Sequence, residues 1–219
     1  RLERLEALWR ASLRDLSADS GGSWVTERAK GLEYGYRLED GHFQLVSSTA
    51  EPFSDPLRSI AAVLEVDLCR GYKRNIIESR ALDGADPFDS VWHTIQKGRL
   101  TGALEDNISR VSIVDALDED GGSLWAYIYP PPDDATQLNG LSLPPAQPGF
   151  SRMGGWCTTF RITPIRDAQG RPLGFRFSSA LSMRPSRAGL AVLTGLPSWG
   201  LRLMISRGAG EMHGSFMRH

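Results

Sequence analysis

The sequence predicts an α+β domain built on antiparallel hairpins, and three observations carry that reading. Tyr34–Leu38 and His42–Ser47 are β-prone runs flanking Glu39, Asp40 and Gly41, a turn of the kind that closes hairpins. Residues 152–165 and 172–183 alternate in polarity and are joined by the polar, glycine-containing loop 166–171. Further strands at 74–82, 90–97, 107–117 and 123–129 follow one another without the helical crossovers a parallel sheet needs.

Helical spacing frames this sheet. Leu2, Leu5, Trp9 and Leu16 mark an N-terminal helix within residues 1–20, stopped by Gly21 and Gly22. Ser54, Asp55 and Pro56 form a helix-start signal, after which Leu57, Ile60, Ala61 and Leu64 keep helical spacing. Near the C-terminus Pro197 opens a helix with Leu201, Met204 and Ile205 on one stripe and Trp199 and Leu203 on an adjoining one. A helix apolar over that much of its circumference is expected to be largely buried. Gly200 weakens its first turn, and Gly208, Gly210 and Gly214 weigh against helix beyond Arg207. A single domain over residues 1–219 is expected, with the N-terminal helix at 1–20, the sheet and connecting helix at 24–195, and the C-terminal helix and tail at 196–219.

Alternation assigns the faces of the last two strands. Trp156, Thr158, Phe160 and Ile162 share one side, with Cys157, Thr159, Arg161 and Thr163 on the other. Phe175, Phe177, Ser179 and Leu181 likewise oppose Arg176, Ser178 and Ser182. One dry and one wet face suits an antiparallel sheet curled over something apolar. Residues 130–150, running from Pro130 to Gly149 through six prolines, form a loop long enough to act as a lid or binding element.

Composition narrows the function. The 219 residues are 41% hydrophobic and 23% charged, which is ordinary globular composition. A net charge of −1, with no basic run, argues against nucleic acid. Two distant cysteines, Cys69 and Cys157, are expected to be reduced. No stretch approaches the roughly 18 consecutive apolar residues of a membrane span.

Catalytic patterns are missing. His42, His93, His213 and His219 have no metal-ligand spacing, and no G-x-S-x-G elbow or dinucleotide fingerprint occurs. Asp118–Gly121 resembles a calcium loop only superficially, because Tyr127 stands where the loop needs its last carboxylate. Asp106, Asp115 and Arg110 are the best acid–base set, and solvated or paired strand charges explain them better.

The order of elements, and four phrases in it, resemble the START (steroidogenic acute regulatory protein-related lipid transfer) domain family. Trp24 followed by Gly31 to Tyr34 is similar to the opening of that family. Ser59 to Tyr72, through Asp67, is similar to its second helix, although many members carry Trp at the position of Tyr72. Arg152 to Pro164 is similar to the strand after the long loop, and Gly195 to Trp199 to the start of the last helix. The resemblance implies a helix-grip fold, in which a curved antiparallel sheet wraps the C-terminal helix around an internal apolar tunnel for one lipid. The long loop and that helix would form the mouth.

On this reading the wall is drawn from Trp156, Phe160, Phe175, Phe177 and Leu181 on strands, and from Leu201, Met204 and Ile205 on the helix. Arg110, Thr158 and Ser179 are candidates for orienting the head. Trp125, Tyr127 and Tyr129 belong at the mouth or on the outer face. The expected activity is non-enzymatic binding and transfer of a lipid, sterol or other hydrophobic molecule, with transient membrane contact. No metal, cofactor, catalytic residue or nucleic acid is expected, and the protein is taken as a soluble, cytoplasmic monomer that is at most peripheral at membranes. The alternatives are a cyclase- or hydrolase-like enzyme on the same scaffold, and a protein-interaction module.

Overall fold

The computed structural model describes residues 24–29, 31–39, 41–49, 52–53, 55–57, 61, 65–66, 70, 75–82, 88–98, 102–118, 121–132, 134–138, 140–152, 154 and 156–217, with residues 211–217 described by backbone alone. The N-terminal helix expected at 1–20, Cys69 and His219 lie outside the described residues.

The strands follow the expected order, with one added at the start. They are β1 (Val25–Ala29), β2 (Leu32–Glu39), β3 (His42–Thr49), β4 (Ile76–Ala81), β5 (Asp89–Lys97), β6 (Leu104–Ala116) and β7 (Ser123–Tyr129). After the short β8 (Gln137–Leu138), β9 (Leu141–Ser142) and β10 (Ser151–Arg152) come the long β11 (Trp156–Arg166) and β12 (Pro172–Met183). The main sheet runs β1-β2-β3-β12-β11-β7-β6-β5-β4, antiparallel throughout this path. β12 thus joins the N-terminal hairpin to the rest. Among the described residues only β10 pairs in parallel, alongside Glu105 and Asp106 of β6.

Two helices close the chain. Helix α1 (Arg187–Gly195) was not expected from sequence; Ser186 caps it by accepting from Gly189 N at 3.1 Å. Helix α2 (Ser198–Met217) follows Pro197 as expected, but it continues through Gly208, Gly210 and Gly214. Ala209 in that stretch is fully buried, so small residues there let the helix backbone approach the sheet. Pro56, Leu57 and Ala61 are helical, and Asp55 Oδ1 accepts from Leu57 N at 3.1 Å, as the start signal predicts; Ile60 and Leu64 lie outside the described residues.

Register places the two faces. On the inner face Tyr36, Leu45, Leu181, Thr158, Ile128 and Val111 stand in one row across six strands. α1 and α2 cover the β2–β3 side of this face, where Leu193, Leu201, Met204, Ile205 and Ala209 meet Tyr34, Tyr36, Phe43 and Leu45. The rest of the face is an apolar layer centred on Trp92, Ile113, Phe160 and Phe177. Gly174 has φ +150°, and a Cβ there would sit 2.7 Å from Pro52 Cβ. That close approach lets Phe53 pair with Phe175 through two 2.9 Å backbone bonds and join the same layer.

Two expectations fail. The outer face is not uniformly wet: Val46, Ala116, Trp125 and Ala180 are buried on it, with Trp24 and Val114 packed against them. Nor is α2 buried all round. Trp199 and Leu203 are 70% and 64% exposed, because they lie opposite the Leu201–Met204–Ile205 stripe that takes the sheet contact. No single helix among the described residues is long and apolar enough to cross a membrane.

Candidate functional site

The inner face gathers most of the residues expected to meet a ligand. Phe160, Phe177, Thr158, Ser179 and Ile205 are buried there, and Trp156, Phe175, Leu181, Leu201 and Met204 are half-buried. Ser179 Oγ and Ser47 Oγ are 2.8 Å apart and hydrogen-bond to each other. Thr49 Oγ1 is likewise engaged, accepting from Phe177 N at 3.1 Å.

The helix side is fastened by polar groups at the sheet's β1–β2 edge. Arg202 of α2 lies 3.5 Å from Glu27 and also bonds the Tyr36 hydroxyl. Burial pushes the Tyr36 hydroxyl above its ordinary pKa against the opposing pull of Arg202.

Arg110 is not part of this wall. It lies on the outer face, where its Nε donates to Asp89 Oδ1 at 2.7 Å, and Ser112 Oγ donates to the same oxygen at 3.0 Å. The hydrogen bond to Asp89 raises the already high guanidinium pKa further, outweighing burial. Arg110→Ala is therefore expected to leave lipid uptake within about twofold of wild type while lowering stability by about 1 kcal/mol, read by vesicle extraction and urea melts in parallel. Trp125, Tyr127 and Tyr129 share that outer face. Tyr127 and Tyr129 stack at 4.7 Å, and the Arg161 guanidinium lies 5.0 Å over the Trp125 ring.

The acid–base set considered from sequence does not assemble. Asp115 is exposed and accepts from Leu117 N at 2.9 Å, whereas Asp106 is buried on the outer face. Asp106 instead accepts from His93 Nε2 at 2.8 Å, Arg152 Nη2 at 2.8 Å and Gln147 N at 3.2 Å. Burial pushes its carboxyl up, but these three donors outweigh burial and hold it below the ordinary carboxylate range. Arg152 Nη1 also donates to Pro144 O at 2.9 Å. The second limb of the long loop is thus pinned to the outer face of β6, away from α2, so that limb does not share a mouth with the helix. The loop also carries structure of its own, the β8–β9 hairpin.

The outer face has a groove of about 960 Å³ between β1 and β11, with Arg28, Glu33, Arg161 and Arg176 among its walls. The apolar, helix-covered surface is the inner one.

Sequence reasoning missed six buried polar atoms that have no hydrogen-bond partner among the described residues: Trp24 Nε1, His93 Nδ1 and Arg152 Nε, and, on the inner face, Asn107 Oδ1, Ser79 Oγ and Trp156 Nε1. Register puts Asn107 opposite Thr94 and Thr94 opposite Ser79, in one inner-face line across β6, β5 and β4. The alternation Asn107, Ser109, Val111, Ile113 was the available signal for Asn107.

A curved antiparallel sheet gripping a C-terminal helix is also what solved lipid-transfer domains contain. Human StAR-related lipid transfer protein 5 matches with a TM-score of 0.63 at 12% identity, over 99% of this chain and 94% of that one. A STAR-related lipid transfer protein fragment from Xanthomonas axonopodis matches at 0.56 and 14% identity, over 86% and 99%. The lipid transfer and protein localization domain of human StarD13 matches at 0.59 and 12%, over 94% and 95%. The chain has the START helix-grip fold. No protein-family model matches the sequence. No curated protein matches it either. The START likeness is therefore one of architecture, carried by strand order and the position of α2 and not by shared residues.

Proposed function

We propose that this chain binds one lipid or similar hydrophobic molecule against the inner face of its sheet and transfers it between membranes without catalysing a reaction. The observation that carries the reading is the largely apolar inner face, with one cluster around Phe43 and Leu45 under α2 and a second around Phe177, Phe160 and Trp92 beside it. Each methylene moved from water to such a surface contributes about 0.8 kcal/mol, so a chain of ten or so suffices for micromolar binding. Trp156, Phe160, Phe175, Phe177, Leu181, Met204 and Ile205 supply contacts in this reading. The START proteins it resembles in fold are named for lipid transfer, which supports the same conclusion.

Membrane contact falls to the outward stripe of α2. Trp199, Leu203 and Arg207 follow at four-residue spacing, all exposed, opposite the sheet-packed residues. An exposed Trp and Leu beside an arginine form an interfacial surface suited to a bilayer headgroup region.

Native mass spectrometry of protein purified without detergent, followed by organic extraction, is expected to show one co-bound apolar molecule per chain. A chain that is empty and also takes up no labelled lipid from vesicles would overturn the proposal.

A further inference from the structure

We infer, on the reading that this chain carries a lipid, that its cargo has an uncharged head bearing a hydroxyl or amide, seated at the Asn107 end of the inner face.

On β5 and β6 the inner face is polar at one end and more apolar at the other. Along β6 it reads Glu105, Asn107, Ser109, Val111, Ile113, and the neighbouring β5 reads Gln96, Thr94, Trp92, Ser90. The apolar members Val111, Ile113 and Trp92 belong to the same layer as Phe160 and Phe177. A ligand lying along the strands therefore meets amide and hydroxyl side chains at one end and aromatic and branched side chains at the other.

The polar end holds hydrogen-bonding capacity that the protein leaves unused. Asn107 is 3% exposed, yet its Oδ1 has no donor. Ser79 Oγ, two strands away in the same line, has no partner either. Buried polar atoms are rarely left unpaired, because each forfeits its hydrogen bonds to water. Asn107 Oδ1 needs a donor, which a hydroxyl or an amide N–H supplies and an alkyl chain does not.

The charge pattern decides against an ionic head. Among the described residues, the charged side chains on this face are at its margins and engaged or exposed. Glu27 pairs with Arg202 at the β1 edge, Glu105 accepts from Gln96 Nε2 at 2.9 Å, and Asp115 is exposed. No described basic group stands beside Asn107 on this face to neutralise a phosphate or carboxylate. A buried charge without a counter-charge is far costlier than a paired neutral group.

The test uses the intact chain with vesicles carrying labelled cholesterol, ceramide, phosphatidylcholine, phosphatidylserine or palmitate. Cholesterol or ceramide is expected to be taken up at least tenfold better than the three charged or zwitterionic probes. Asn107→Val should weaken uptake of the preferred probe about tenfold while leaving the melting temperature unchanged or raised, because it removes an unpaired buried acceptor. Ser79→Ala should weaken it similarly and guards against a folding defect in the first variant. Preference for a phospholipid or palmitate, or uptake indifferent to both substitutions, overturns the head assignment and leaves the carrier reading standing. Uptake of no probe overturns both.

Discussion

Asp106→Ala is expected to destabilise the fold by about 3 kcal/mol at pH 7 and to free the segment from Pro144 to Arg152. Removing Asp106 leaves Arg152 without its counter-charge and His93 Nε2 without its acceptor, and losing one partner of a buried ion pair costs about 3–5 kcal/mol. The lower end applies because Arg152 is partly exposed, at 29%, and recovers some hydration. His93, at 3% exposure, recovers little. Its Nδ1 is already unpartnered, whereas Arg152 keeps its bond to Pro144 O.

The effect depends on pH with a definite sign. The Asp106 carboxyl is held below its unfolded value of about 3.9, so its contribution is fully present above that value. It is lost as pH falls through the lower, folded value. The gap between wild type and Asp106→Ala should therefore be full at pH 7 and shrink below about pH 4. Urea melts across this range read the gap, and amide exchange of residues 144–152 reads the release of the loop. A gap under 1 kcal/mol at neutral pH, or one unchanged at pH 3, would show that the cluster does not pin the loop.

The double substitution Trp199→Ser and Leu203→Ser is expected to weaken vesicle binding about 100-fold and to slow lipid transfer accordingly. Burying a Trp or Leu side chain contributes about 1.5–3 kcal/mol, and half of that for each residue already exceeds the 2.7 kcal/mol that a hundredfold requires once both are counted at the upper end. Solution stability should change by less than about 0.5 kcal/mol, since both side chains are exposed and off the sheet-packed stripe. Vesicle sedimentation read beside thermal melts separates the two effects. Equal sedimentation of variant and wild type would remove α2 from the membrane-facing role.

The strand pattern was legible because alternation and turn chemistry are local. The turn at Gly41 and the loop 166–171 marked both hairpins, and the parity of Trp156–Ile162 and Phe175–Leu181 put each side chain on the face where it is found. Helix α1 was missed. Its cap, Ser186 after Pro185, was present in the sequence, but Gly189 and Gly195 depress helical propensity over a short segment that folds because Leu193 packs with Tyr34 and Leu45. The glycines after Arg207 misled in the same way: packing around Ala209 outweighs a cost of about 1 kcal/mol for each.

Arg110 illustrates where single-strand reasoning ends. As a buried-strand arginine it looked like a head-group anchor, but one step along a strand reverses the face. Its neighbour in sequence, Ser109, is on the inner face, while Arg110 pairs outward with Asp89, 21 residues away.

By itself the sequence determined the antiparallel hairpins, the order of elements and the apolar parity of the last two strands, because these follow from spacing between near neighbours. Only the tertiary structure decided which cation pairs with which carboxylate, where the long loop is pinned, which stripe of α2 faces water, and that Asn107, Ser79 and Trp156 keep unpaired polar atoms on the inner face. Those features depend on cross-strand register and on what lies above each face, and residues remote in sequence set both.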